Sequence, residues 1–178
     1  DKNNDGFTDL TIQDRISIFN KFTYGGKLSF ATRFVYEDRW GGQLNWEPKY
    51  RGGDNIYGEN IYTTRFEAFG NYEFNKNLSF QFSFNDHTHN SAYGTTIFNA
   101  KQAIGFGQLL WNKSIKNNDL LFGFAYRYTY YDDDTTATYN EIQNLNQEGI
   151  YHMPGLFIQD EIKINESNTL LLGLRFDH

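Results

Sequence analysis

Apolar and polar residues alternate with a period of two along much of the chain. The clearest run places Leu78, Phe80, Phe82 and Phe84 on one side and Ser79, Gln81, Ser83 and Asn85 on the other. Successive side chains of a β-strand point to opposite faces, so this run predicts a strand with one dry and one wet face. The pattern recurs. Leu28, Phe30, Phe34 and Tyr36 oppose Lys27, Ser29, Arg33 and Glu37. Tyr62, Phe66, Ala68, Tyr72 and Phe74 oppose Thr63, Arg65, Glu67, Asn71 and Glu73. Leu120, Phe122, Phe124, Tyr126, Tyr128 and Tyr130 share a face, as do Leu170, Leu172, Leu174 and Phe176. Two runs are weaker. Ile16, Ile18, Phe22 and Tyr24 are interrupted by Asn20, and Leu156, Ile158, Ile162 and Ile164 by Asp160. The stretch from Lys101 to Lys113 has no clean dry face, although its length and its glycine and aromatic content suit a strand.

The pattern therefore predicts about eight strands of roughly 9–14 residues, where a tilted membrane strand needs about 9–11 and a globular one averages about 5–6. Tyr24-Gly25-Gly26-Lys27 and Asn75-Lys76-Asn77 read as tight turns, and Ser114 to Asp119 and Asn165 to Asn168 as short polar ones. Between them the pattern predicts long connections at Gly41 to Asn60, His87 to Ala100 and Asp133 to His152. Regular alternation of short and long connections is the habit of bacterial outer-membrane barrels, with short periplasmic turns and longer outer loops. Tyr36, Tyr62 and the tyrosines ending at Tyr130 stand next to predicted long connections, where an interfacial aromatic girdle belongs.

Composition agrees with a sheet of two unlike faces. Aromatic residues make up 19% of the 178 residues, with 13 Tyr and 17 Phe, yet the mean hydropathy is −0.68. No run of residues approaches the roughly 18 apolar ones of a membrane helix. The chain has no cysteine, which leaves no disulfide framework and no thiolate metal site. A net charge of −6 argues against a nucleic-acid partner. No nucleophile motif or phosphate loop is present, so no catalytic residue and no enzymatic activity are expected. The chain opens on Asp1-Lys2-Asn3-Asn4-Asp5 without a signal peptide and stops on Arg175-Phe176-Asp177-His178 inside a predicted strand. The expectation is a piece of a longer protein.

Phe157-Ile158-Gln159-Asp160-Glu161-Ile162-Lys163-Ile164, a short polar turn, and Thr169-Leu170-Leu171-Leu172-Gly173-Leu174-Arg175-Phe176-Asp177 together resemble a hairpin of TonB-dependent receptor barrels. In that hairpin an F-x-Q-D-E strand precedes T-L-x-x-G-x-R-[FY]-D. Tyr36-Glu37-Asp38-Arg39-Trp40-Gly41-Gly42, Tyr50-Arg51-Gly52-Gly53-Asp54 and Gly105-Phe106-Gly107-Gln108-Leu109 look like the subgroup that takes up siderophore-type or cobalamin-type ligands. The resemblance implies an all-β transmembrane antiparallel barrel of about 22 strands, of which this chain would supply roughly a third. It also implies a plug domain filling the lumen, the remaining strands of a full-length chain, and import of a scarce nutrient powered through TonB in the bacterial outer membrane. Residues 1–12 would form an outer loop and 13–178 part of the barrel domain. Arg33, Glu37, Arg65, Glu67, Arg127 and Arg175 would face the lumen or pair across strands. Two other readings compete: a small stand-alone outer-membrane barrel with an adhesive or structural role, and a soluble calcium- or carbohydrate-binding β-domain.

Three groups of residues stand out as sites. Asp1, Asn3, Asp5, Phe7 and Asp9 follow the opening of a calcium loop, D-x-N-x-D-G-x-x-D, with the Phe7 carbonyl in the seventh position. The twelfth position is Ile12 rather than a bidentate Glu, so the match is incomplete and no cofactor other than calcium is expected. Trp40, Trp46, Tyr50, Arg51, Tyr57 and Tyr93 are aromatic and cationic groups in the predicted outer loops, the types that dominate binding hot spots. Their alternative is packing within the loops. His87 and His89 sit two residues apart without an evident third metal ligand, and read as polar loop residues.

Overall fold

The computed structural model describes residues 2–135 and 138–178. These form one antiparallel sheet of eight strands in strict sequence order. Its members are β1 (Ile12–Tyr24), β2 (Leu28–Gly42), β3 (Gly58–Asn75), β4 (Leu78–Tyr93), β5 (Thr96–Ile115), β6 (Asn118–Asp133), β9 (Gly149–Asn165) and β10 (Asn168–Asp177). A separate hairpin of two-residue strands, β7 (Tyr139–Asn140) and β8 (Leu145–Asn146), lies in the connection after β6. The connection after β2 holds a short 3₁₀ turn, Pro48–Tyr50. No α-helix occurs among the described residues. The sheet is open, with β1 and β10 as its edges.

The turns at one end follow from their residues. Gly25 and Gly26 have φ of 58° and 64°, and Lys27 N–H donates to the Tyr24 carbonyl at 3.1 Å. Two left-handed residues in succession give the type I′ geometry that matches the twist of a hairpin. At the β3–β4 turn the Asn75 side chain accepts from the backbone N–H groups of Asn77 and Leu78 at 2.9 and 3.1 Å. Asn165 accepts from Ser167 N–H at 3.0 Å in the β9–β10 turn.

The opposite end corrects one expectation. His87 to Ala100 is not a long connection: β4 runs on to Tyr93, β5 starts at Thr96, and only Gly94 and Thr95 lie between them. Long connections remain at 43–57 and 134–148, so short and long do not alternate without exception. His87 and His89 consequently lie on a strand rather than in a loop. The strands are also longer than expected, up to 20 residues in β5. The stretch without a clean dry face is the middle of β5. There Gly105 and Gly107 occupy the apolar face beside the rings of neighbouring strands, while Ile104, Phe106 and Leu110 take the polar one.

Cross-strand register carries the alternation through the whole sheet. One row joins Tyr24, Leu28, Tyr72, Phe80, Leu109, Phe124, Leu156 and Phe176, and every member is apolar or aromatic. No layer packs on this face among the described residues. Among the described residues the buried apolar ones are only Ala31, Val35, Trp46, Ala92 and Ala125, whereas Phe124, Leu156 and Phe176 are 48%, 60% and 66% exposed. A sheet normally buries its apolar face against another element; this one presents it outward.

The same row measures how the strands are staggered. Leu28 is the first residue of β2, whereas β4, β6 and β10 begin two, six and eight residues before their members of the row, Phe80, Phe124 and Phe176. The apolar band drifts in the same sense. Its turn-side border passes from Leu28 to Leu78, Leu120 and Leu170, all first or early residues of those strands. At the other border, the row of Tyr36 meets Thr64, Thr88, Lys101 and Asp132, so on β6 the aromatic run has already ended at Tyr130. The sheet is thus sheared by about one residue per strand, the offset that strands tilted from a common axis require.

Candidate functional site

Residues that could meet a ligand gather where the long connections lie, and side chains of the 43–57 connection pack back on the sheet. Trp46 is 5% exposed and stacks on Trp40 of β2 with ring centroids 5.2 Å apart. It lies directly on the backbone of Gly58, where a Cβ would collide with the indole. Arg51 reaches from the connection to the sheet. Its Nε donates to Asn60 Oδ1 at 2.9 Å, a second nitrogen donates to Asn90 Oδ1, and its guanidinium lies over the Tyr62 ring at 5.4 Å. Asn60, 1% exposed, passes the network on by donating to Asp38 Oδ1 at 3.0 Å. These groups share the face of the apolar row, beyond its aromatic border. The connection therefore folds back over the apolar-side face of β2–β4.

Of the six loop candidates, Trp40, Trp46 and Arg51 are joined in this packing. Tyr50 closes the 3₁₀ turn through its N–H to Glu47 O at 2.9 Å and carries Lys49 over its ring at 4.9 Å. A 2.8 Å ion pair with Glu47 raises the Lys49 pKa above its ordinary value. Tyr57 and Tyr93 keep 44% and 42% of their surface exposed. The Tyr57 hydroxyl donates to Glu59 at 2.5 Å, which raises its pKa because deprotonation would break that bond next to a carboxylate.

Asp1 lies outside the described residues. Asn3, Asp5, Phe7 and Asp9 form an exposed turn in which their polar groups serve local hydrogen bonds. Asp5 accepts from Asn3 Nδ2 and from Phe7 N–H, each at 2.8 Å, and Asp9 accepts from Lys2 N–H at 2.7 Å. Gly6 turns the chain with φ of 80°. A backbone bridge between Phe7 and Gln43 then docks the segment on the end of β2. No cluster of three or more His, Cys, Asp or Glu with metal-site geometry occurs among the described residues.

The polar face of β1–β4 carries two carboxylate hubs. Glu67 accepts two hydrogen bonds from Arg33, at 2.6 and 2.9 Å, and stands 3.3 Å from Arg65 Nε. Glu37 accepts from Gln13 at 2.7 Å and has Arg15 and Arg39 at 3.7 and 3.8 Å. The expected pairing across strands is present for Arg33 and Glu67. Arg175 pairs instead along its own strand with Asp177, at 2.7 Å. His87 and His89 occupy the same face of β4, their rings 6.2 Å apart. Together with Phe98, Ala100, Gln102 and Tyr131 they line a cavity of about 230 Å³.

The network of Asp38, Asn60, Asn90 and Arg51 and the placement of the two histidines on the polar face were not foreseen. A signal for the histidines was available. Polar residues occupy every odd position from Ser79 to Ser91, which continues the wet face straight through His87 and His89. Comparison of the chain with protein-family models and with curated proteins gives no match.

Proposed function

We propose that this chain is a segment of an outer-membrane β-barrel receptor that imports a scarce nutrient, of the ferric-siderophore or cobalamin kind, with energy supplied through TonB. The observation that carries the membrane part is the uncovered apolar face: a row eight strands wide of apolar and aromatic residues with nothing packed on it among the described residues. In water such a face would associate or collapse. Against lipid it is at home, provided every backbone group is paired, which a closed barrel achieves. The thickness agrees. Leu28 to Tyr36 spans about 27 Å along a strand, or about 20 Å across the membrane at a tilt near 40°, comparable with the roughly 25 Å apolar band of outer-membrane barrels. Leu109, Trp111, Phe122, Leu156 and Phe176 border a shallow apolar groove of about 440 Å³ on this face, suited to acyl chains. The shear per strand supports closure, with β1 and β10 as the edges to which further strands add. In this reading the polar face lines the lumen and carries the charged hubs. The choice of nutrient and of TonB rests on the resemblance of the β9–β10 hairpin.

A small stand-alone barrel would require β1 to pair with β10, and they are opposite edges of the sheet. A soluble β-domain would require a second layer over the apolar row.

Topology is tested by labelling single cysteines on intact cells. Asp54 and Tyr93 at the long-connection end should react, while Lys76 and Glu166 should stay protected until the outer membrane is opened. Asp54 is a better probe than Gly42, whose φ of 143° and contact with Gly58 leave no room for a side chain. Thr136, the natural probe of the second long connection, lies outside the described residues. Reaction at both ends of the sheet on intact cells would sink the transmembrane reading.

A further inference from the structure

We infer that the polar face of β2–β4, around Arg39, Arg65, His87 and His89, binds an anionic group, a carboxylate or a phosphate carried by a small ligand. The chain as a whole has a net charge of −6, yet this part of the sheet runs the other way. Arg15, Arg33, Arg39 and Arg65 stand here with only Glu37 and Glu67 against them in the ion pairs of the described residues. Each carboxylate is shared between two guanidiniums, so these ion pairs hold two more guanidiniums than carboxylates. All four arginine side chains are 34% to 49% exposed, open to a further partner.

The register places the histidines at the rim of this field. Arg65 stands directly opposite His87 on the neighbouring strand, and Thr63 stands between Glu37 and His89. Among the described residues neither imidazole makes a hydrogen bond, and both line one cavity. The two imidazoles and the part-exposed guanidiniums beside them are thus open to an acceptor that comes from outside. What they share is the capacity to donate to oxygen, and guanidinium with carboxylate or phosphate is the strongest such combination. The cavity between the histidines, Gln102 and Tyr131, about 230 Å³, is smaller than the usual site for a whole drug-sized ligand, roughly 300–1,000 Å³. It fits one anionic group of a ligand rather than the entire molecule.

The inference deepens the transport reading and rests on it for the meaning of the site, where the anion would be part of the imported ligand. Binding itself can be measured without transport. The protein, in a nonionic detergent at fixed pH and ionic strength, is titrated with inorganic phosphate and with citrate, using chloride as reference. The ¹³Cε1 signals of its four histidines are followed by NMR and assigned by His87→Gln and His89→Gln. His87 and His89 should shift together and saturate with at least one of the two anions, while His152 and His178 stay in place. Arg65→Gln and Arg39→Gln should each weaken binding about tenfold or more, in keeping with a charge-assisted hydrogen bond. Arg65→Lys, which keeps the charge and guards against a merely misfolded variant, should retain most of it. Arg175→Gln, on the same face but paired with Asp177, should change nothing. A response that does not saturate with either anion, that is equal at all four histidines, or that survives Arg65→Gln would overturn the inference. Anion binding in a protein that fails the surface-labelling test would leave this site standing and remove the transport reading; the converse result would do the reverse.

Discussion

Phe82 and Ser83 are neighbours in sequence and stand on opposite faces of the sheet. Phe82 lies opposite Gly70 and Gly107 on the apolar face and stacks near Phe30 with ring centroids 6.1 Å apart. Ser83 faces the polar side between Phe69 and Phe106. Phe82→Arg should destabilise the folded protein by about 2–4 kcal/mol if the residue sits near the bilayer midplane, while Ser83→Arg should cost far less. Denaturant titration of the protein refolded into lipid vesicles measures both, and equal costs would mean that the alternation is not a division between lipid and lumen. At this scale the sequence was readable wherever one side of a strand belongs to the apolar face, because every second residue is then apolar. It was less readable where long polar side chains choose among partners. Nothing in the sequence around Arg51 points to Asn60 or Asn90, since those contacts exist only once β3 and β4 are paired and the connection has folded back on them.

Among the elements, the strands were legible in number and order but not in length. β4 continues past Phe84 through Asp86, Thr88 and Asn90 on its former dry face. Alternation fades there for a physical reason. Once a strand leaves the apolar band both of its faces can be polar, while backbone pairing carries it on regardless. The sequence then looks like a loop although the ladder is intact, which is how His87 to Ala100 came to resemble a long connection. The 43–57 connection poses the opposite problem, because it is a loop packed on the sheet through Trp46 seated on Gly58. Gly58→Ala places a methyl group where the indole lies. The connection should then release Trp46 and become sensitive to protease between residues 43 and 57, with an increase in cleavage rate of about tenfold or more for a loss of about 1.4 kcal/mol in local stability. The sheet should keep its thermal transition. Limited proteolysis with mass-spectrometric mapping checks this, and a loop as resistant as the wild type would show that the indole is not its anchor.

For the molecule as a whole, the three tryptophans mark two environments, and this allows the lipid contact to be tested without labelling chemistry. Trp111 sits on the apolar face near the turn end, 45% exposed and stacked on Phe122 at 5.3 Å. Trp40 and Trp46 stack on each other beyond the opposite border of the apolar band, under the 43–57 connection. The shear of the sheet makes the contrast sharper than distance along the strands suggests. The band slides toward the turns from β2 to β6, so Trp111 on β5 falls inside it, just as Trp40 on β2 falls outside. In bilayers whose acyl chains carry bromine, a variant retaining only Trp111 (Trp40→Phe with Trp46→Phe) should lose most of its fluorescence. Trp111→Phe, which retains the stacked pair, should lose little. The ratio of the two quenching constants should be on the order of tenfold, because bromine quenches by contact and Trp46 is enclosed by protein. If both variants are quenched alike, the apolar band does not end where Tyr36 and Tyr130 place it. If neither is quenched, the uncovered face meets protein instead of lipid, and a second layer of chain must lie over the row from Tyr24 to Phe176.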